Sequence, residues 1–342
     1  MSIEITRTDP AELDEWNSYV DQSPHASVFH HGEALAILAE QSGATLHPLI
    51  GYKGQEPVGL LPLFETTLGP FTAVYSPPPH LEVFSLGPAL LNFEKLKRRK
   101  SERRHRRFVE SILTWLDDHL DPDYVDIRTV DRYDDVRPFK WNGFDATPTY
   151  TYIVDITRDE ETLLTSFSRD ARSNICNTDE DAYEIEEGDA DAVDFVIEQI
   201  RERHDEQDKE YRVTSQFAKS LYHRLPAETI RPYVISVENE RVGGVLALEW
   251  GDTVYRWQGG AKHDVDVPVN DLLDWHVVRE AKSRGRKRYD LVGANLPRLC
   301  KYKSKFGPTA SAYYTLQRRS SRMSIATEAY QRLPDSFRVL AE

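Results

Sequence analysis

The feature that most constrains this chain's fold is an internal echo: GYKGQEPVGLLPLFE at 51–65 returns as SVENERVGGVLALEW at 236–250. Each segment reads as a strand, a polar turn (Lys53 to Glu56; Glu238 to Arg241), then Val-Gly and a second apolar strand, the pattern of a β-hairpin. Each is followed by another strand candidate (Phe71 to Tyr75; Thr253 to Gln258), a long amphipathic helix and a short strand of buried type. In the first half the helix lies near 102–120, with Phe108, Ile112, Leu116 and Leu120 at four-residue spacing, and the strand is YVDIRTV at 124–130. In the second half the helix opens near Pro268, carries Leu273, Val277 and Ala281 on one face, stops at Gly285 and leads into YDLVG at 289–293.

Helical patterns at 10–20 and 31–42 precede the first hairpin, and those at 159–178, 190–205 and 214–224 precede the second. The order helices, hairpin, strand, helix, strand thus occurs twice. It predicts a mixed α/β chain of two tandem units, 1–148 and 149–342, each a central, mostly antiparallel sheet flanked by helices. The junction falls in TPTYTYIVDI at 147–156, whose Thr/Tyr alternation suggests a strand opening the second unit. A length of 342 residues agrees with two domains that each bury a core.

Composition limits the partners. No run approaches the roughly 18 apolar residues of a membrane span, and the N-terminus has no apolar signal region, so the chain is expected in the cytoplasm. Cys176 and Cys300 stand far apart without clustered Cys/His spacing, which argues against a disulfide scaffold and a structural zinc. The net charge is −14, and the basic residues divide into 30 Arg and only 13 Lys. Scarce Lys, Met and Cys with acidic excess is the composition of halophilic proteins, kept soluble in salt by their charge; an ordinary acidic protein is the plain alternative. The segment EKLKRRKSERRHRR at 94–107 runs against this background. It holds nine Lys/Arg and two Glu, while the other 328 residues carry 34 basic and 55 acidic groups.

In the second half YRWQGGA (255–261), VPVNDLLDWHVVREAKSRG (267–285), YDLVG (289–293) and KYKSKFG (301–307) follow one another. This series resembles the GNAT acyltransferase fold in tandem, as in FemABX-type aminoacyltransferases and the related FemAB-like proteins with a BioF2-like acetyltransferase domain. The resemblance covers nearly the whole chain, with its specific part in 255–307. It implies transfer of an acyl or aminoacyl group to an amine by direct attack in a ternary complex. The donor it implies is an aminoacyl-tRNA or an acyl-CoA used as co-substrate, with no tightly bound cofactor, no metal and no covalent enzyme intermediate. GNAT enzymes hold the CoA pyrophosphate on a Q/R-x-x-G-x-G/A loop of backbone N–H groups. Here GGAKHDVDVPVN occupies that place, and Asp264 and Asp266 would repel a pyrophosphate.

Acylation needs a neutral amine, and a free alkylamine is only on the order of 0.1% neutral at pH 7. The site therefore needs a base, and a donor for the oxyanion of the tetrahedral intermediate. Asp290, a carboxylate in an apolar strand, is the candidate base or amine anchor; a structural Asp accepting backbone N–H groups is the alternative. By resemblance Lys305 would stabilise the oxyanion or a substrate phosphate, and Lys303 and Phe306 belong to the same substrate-binding element. Tyr255 and Trp257 share a strand face and could stack on an acceptor or form core. Asn270 sits in the first turn of a helix, where a side-chain amide meets an anion or caps the helix end. Arg172 and Arg203 are candidates for phosphate or carboxylate recognition, with a solvated face as the alternative. His30 and His31 resemble an acceptor-side position or are surface and capping groups. Arg98, Arg99, Arg103, Arg104, Arg106 and Arg107 would contact tRNA, a nucleotide-linked acceptor or an anionic membrane surface, since positive charge at a helix start opposes the helix dipole and needs another reason. A solvated loop is the bland reading. Two further readings stay open: a noncatalytic module binding tRNA or an anionic polymer, and an N-acetyltransferase whose basic segment holds the pyrophosphate of acyl-CoA.

Overall fold

A computed structural model describes residues 2–261 and 265–331. The first half runs β1 (Glu4–Arg7), α1 (Asp14–Gln22), α2 (Gly32–Ser42), β2 (Thr45–Lys53), β3 (Glu56–Leu68), β4 (Phe71–Ser76), β5 (Ala89–Leu90), α3 (Arg98–His119), β6 (Tyr124–Arg128), α4 (Arg137–Trp141) and β7 (Asp145–Asp155). The second runs α5 (Glu160–Ser166), α6 (Arg169–Asn177), β8 (Glu184–Glu187), α7 (Ala190–Asp205), α8 (Ser215–Arg224), β9 (Ile230–Val237), β10 (Glu240–Trp250), β11 (Thr253–Ala261), α9 (Val269–Ser283), β12 (Arg288–Asp290), α10 (Pro297–Lys303), β13 (Thr309–Arg319) and α11 (Ser321–Gln331). No helix among these residues is long and apolar enough to cross a membrane.

All thirteen described strands join one sheet, in the order β1-β2-β3-β4-β6-β13-β7-β12-β11-β10-β9-β8, with β5 beside β3. The pairings β4/β6 and β11/β12 are parallel and the others antiparallel. The closing strands are exchanged. β7 follows the first half's elements but pairs with β12, and β13 follows β12 but pairs with β6. Tyr75 neighbours Asp126 in one parallel ladder and Tyr255 neighbours Asp290 in the other. Asp126 then faces Gln317 and Asp290 faces Ile153; four residues back from each along β13 and β7 lie Tyr313 and Thr149, which face each other. An approximate two-fold axis therefore passes through that pair, and the fold is two tandem GNAT-like units. The expected junction at 148/149 falls inside β7.

The hairpins repeat in register more closely than in residue type. The first turn is Gly54-Gln55, between paired Lys53 and Glu56. The second is Glu238-Asn239, between Val237 and Glu240, one residue earlier than the sequence pattern suggests. Each turn is followed by a bulge at the same place, opposite Gly51/Tyr52 and Ser236/Ile235.

Each unit keeps a core of its own on one sheet face. Phe108, Ile112 and Leu116 of α3 pack on the first, and Leu272, Leu273 and Val277 of α9 on the second. The opposite face carries a shared core in which Trp16, Phe29 and Leu35 of the first unit meet Val196, Phe217 and Trp257 of the second. Two expectations are corrected. The pattern at 159–178 is two helices, because Ser168 caps α6 by accepting from the Ala171 amide at 3.3 Å. And α3 begins at Arg98, so residues 98–107 are helix and not a loop ahead of it. Its apolar half is anchored in the core, and Arg104 is clamped by both carboxylate oxygens of Glu56 (2.8 and 3.1 Å), which outweighs the unfavourable dipole.

Candidate functional site

The Tyr255/Asp290 pair is the last rung of the parallel β11/β12 ladder; β11 continues to Ala261 while β12 ends. The strands part here, and the chain after Asp290 turns through Val292 and Gly293, at φ 48° and 80°. A β-branched residue in the left-handed region is strained and persists only where its surroundings hold it. Asp290 Oδ1 accepts from the Val292 amide at 2.7 Å and from the Thr151 hydroxyl. Thr151 Oγ1 accepts from the Gly293 amide at 3.2 Å. Lys303 Nζ donates to the carbonyls of Val292 and Gly293, the latter at 2.9 Å. The turn thus places its amides on one side and its carbonyls on an ammonium.

Both titratable groups are perturbed. Burial pushes the Asp290 carboxyl up to about 6, against the opposing hydrogen bonds from Thr151 and Val292. Burial, with the nearby Arg256, brings the Lys303 ammonium down to about 8. A carboxylate titrating close to neutrality can take up and release a proton at physiological pH.

Asp290, Thr151, Tyr255 and Tyr313 line a cavity of about 20 Å³, room for one water-sized group. It shares Val130, Asp131 and Tyr255 with a larger cavity of about 280 Å³ between the units, which also touches His25, Arg132 and Asp252. That larger space is open enough for the end of a substrate, and the small cavity that Asp290 lines adjoins it through those three shared residues. Arg288, two residues before Asp290, is paired with Asp131, and Arg132 with Asp252. Tyr255 stacks on Phe84 at 4.9 Å and its hydroxyl is pushed upward by burial.

Behind β11 the first turns of α9 form a buried polar hub. Asp274, fully buried, accepts from Arg256 Nε at 2.7 Å and from the hydroxyls of Tyr289 (2.5 Å) and Tyr302 (2.6 Å). Arg256 also donates to Asn270 at 3.1 Å. One turn earlier Asp271 accepts from Lys305 at 3.0 Å and Asn174 at 2.6 Å. Lys305 lies 3.3 Å from Asp170 as well. Burial pulls its pKa down, but the two carboxylates outweigh this and the net shift is upward.

Seven of the sequence-predicted residues fall into three sets. Asp290, Tyr255 and Lys303 come together at the parted strands. Asn270 and Lys305 belong to the α9 hub, Lys305 as a cation engaged by two carboxylates. Trp257 and Phe306 are buried in cores, Trp257 against Phe29 and Phe217, Phe306 against Phe167 and Tyr302. Arg172 donates to the Thr165 carbonyl at 3.3 Å, and Arg203 lies half-exposed in the last turn of α7. His30 is buried, its ring bound to the Ser27 amide and the Gly87 carbonyl at 3.0 Å each, and burial lowers it to about 4. His31 sits beside Glu33. Cys176 is exposed and Cys300 half-buried, and both are free. Asp266 is exposed ahead of α9, and Asp264 lies outside the described residues.

Sequence reasoning missed Thr151, Arg256, Asp274 and Tyr302. A signal existed for one: Arg256 alternates with Tyr255 and Trp257, so it must point to the opposite face of β11, toward α9. Asp274 gave none, since an acid in the second turn of a helix ordinarily faces water.

Residues 166–304 match the family model of the acetyltransferase (GNAT) domain. Among solved structures the chain is similar to FemX, with a TM-score of 0.71 at 13% identity over 91% of this chain and 96% of that one. L-PGS from Bacillus licheniformis is similar at a TM-score of 0.59 and 12% identity, over 92% and 95% of the two chains. A tandem GNAT protein from the clavulanic acid biosynthesis pathway is similar at 0.50 and 11%, over 92% and 98%. No curated protein matches the sequence.

Proposed function

We propose, from the acetyltransferase (GNAT) domain in the second unit of this acyltransferase, that the protein transfers an aminoacyl group from an aminoacyl-tRNA to a primary amine at Asp290. The observation that carries the reading is a buried carboxylate, titrating near 6, at the point where β11 and β12 part and beside an open inter-unit cavity. The acceptor amine enters through the cavity walled by Tyr255 and Asp131. Asp290 takes the proton that the nitrogen loses as it attacks the ester carbonyl. The C–N bond forms, the ester C–O bond breaks, and Asp290 returns the proton to the departing oxygen, which leaves as the tRNA hydroxyl. Lys303, which donates to the carbonyls of the turn after Asp290 and is not held by carboxylates as Lys305 is, is the cation to which we assign the support of the oxyanion.

The α9 N-terminus favours this donor over acyl-CoA. In GNAT enzymes the corresponding helix start receives a pyrophosphate; here Asp271 occupies the first turn and Asp266 precedes it. The basic segment does not replace that loop. Its helix packs against α4, β1, β2 and β3, at the sheet edge far from β12. We place the protein in a salt-rich cytoplasm, in keeping with its charge. Incubation with radiolabelled aminoacyl-tRNA and a panel of primary amines tests the reading: label passes to an amine, and it does not in Asp290→Asn. Label transfer from acetyl-CoA alone would refute the choice of donor.

A further inference from the structure

The first turns of α3 present two rows of charge. Arg98, Glu102, Arg106 and Glu110 follow at four-residue steps, and Arg98–Glu102 (3.3 Å) and Arg106–Glu110 (3.5 Å) are paired. Lys100, Arg103, Arg104 and Arg107 follow at spacings of three, one and three, which puts them on one helix face. That face, with Lys53 from the β2–β3 hairpin, Ile3 and Leu96, lines a cavity of about 340 Å³. Arg104 is a wall of it, fixed by Glu56, whose carboxyl the guanidinium holds below its usual range. Lys100 and Arg103 form no salt bridge among the described residues, and Lys53, which faces Glu56 across the hairpin turn, acts on that carboxylate through space without a direct ion pair.

In a chain of net charge −14 these cations have acids available nearby on the same helix, yet the two rows are segregated. Apart from Glu56, whose carboxylate is engaged by Arg104, the charges round the cavity are alike and repel one another until an anion enters. The cavity lies at the β1/β2 edge, six strand spacings from β12 counted from β2 and seven from β1, roughly 30 Å at about 4.8 Å per strand. A ligand there is out of contact with Asp290.

We propose that this cavity binds a phosphate-bearing ligand, its phosphate or pyrophosphate held by Lys53, Lys100 and Arg103 and its apolar part resting on Ile3 and Leu96. The concave shape and apolar floor suit a terminal phosphate group, from a soluble nucleotide-type molecule or a lipid headgroup, better than a continuous nucleic-acid backbone, which would track an open groove.

The test is calorimetric titration of the full chain with inorganic pyrophosphate, and sedimentation with vesicles of phosphatidic acid in phosphatidylcholine. The variant Lys53→Gln/Lys100→Gln/Arg103→Gln removes the unpaired cations. The control Arg98→Gln/Arg106→Gln lowers the charge of the same helix on its paired row. Saturable pyrophosphate binding, weakened at least tenfold in the first variant and less than threefold in the second, supports the site with a soluble ligand. The same contrast seen with vesicles alone supports it with a headgroup. Equal losses in both variants would overturn it in favour of a diffuse polyanion-attracting face, which single-stranded RNA would then also bind, and absence of binding to both probes would overturn it outright. Transfer activity from aminoacyl-tRNA, measured in parallel, separates a failure here from a failure at Asp290.

Discussion

The Thr151 hydroxyl donates a hydrogen bond to the carboxylate of Asp290, although β7, which carries Thr151, follows directly on the elements of the first unit. The strand exchange is what brings them together. β7 crosses to pair with β12, so the candidate base of the second unit is tuned by a residue outside that unit's own run of strands.

Asp290→Asn should lower the transfer rate constant by about 10²–10⁴-fold, the usual contribution of a positioned base, with KM for the donor little altered. Single-turnover kinetics with and without the substitution check this.

The pH dependence has two signs. As a base, Asp290 must be ionised, so kcat/KM should rise with pH through about 6. In stability the same group works the other way. Its folded pKa lies above the unfolded value, so the folded state holds the proton more tightly, and that contribution is lost as pH climbs from about 4 to 6. Asp290→Asn should remove this loss and leave the variant more stable than the parent at pH 7, by up to about 3 kcal/mol. Melting curves from pH 4 to 8 read both limbs. Thr151→Val, which takes a stabilising donor from the carboxylate, should move the kinetic limb to higher pH, and Thr151→Ser should restore it.

Arg256→Leu should destabilise the protein by about 3–5 kcal/mol, because it leaves Asp274 as a buried charge whose remaining partners are tyrosine hydroxyls. Arg256→Leu/Asp274→Leu should recover much of that. Denaturant titration of the two variants measures the difference.

Trp257 fastens the units together: its Nε1 donates to the Glu82 carbonyl at 2.9 Å and its ring packs against Phe29 and Phe217. Trp257→Phe should cost about 1 kcal/mol for the lost hydrogen bond, and Trp257→Ala about 3–5 kcal/mol, both visible in chemical denaturation.

Raising KCl from 0.1 to 2 M should raise the melting temperature. At 1 M the Debye length is about 3 Å, which screens the mutual repulsion of a chain of net charge −14. Differential scanning calorimetry across the salt series checks it.

The repeated hairpins, the amphipathic helices and the Tyr-Asp strand were legible because alternation and four-residue spacing follow directly from burial on one face. Asp290 stood out for the same reason, as a carboxylate where alternation demanded an apolar neighbourhood. The exchange of β7 and β13 was not legible, since TASAYYTLQRR carries no mark of which strand it will lie beside. Thr151 was accordingly separated from Asp290 in any linear reading. The start of α3 was misplaced because capping and dipole arguments disfavour Arg98 as a first turn, while the Glu56 clamp that permits it comes from a hairpin 48 residues away. Lys305 looked like a free cation because the acids that engage it, Asp170 and Asp271, lie on two other helices.

The most direct measurement is the thermal stability at pH 7 of the Lys53→Gln/Lys100→Gln/Arg103→Gln variant, in which the α3 cavity no longer answers to phosphates, with a non-hydrolysable aminoacyl-tRNA analogue and, separately, with CoA, each at about one hundred times a typical micromolar Kd. Saturating ligand should add about 2.7 kcal/mol. The account predicts stabilisation by the aminoacyl-tRNA analogue and none by CoA; stabilisation by CoA with no response to the analogue would contradict it.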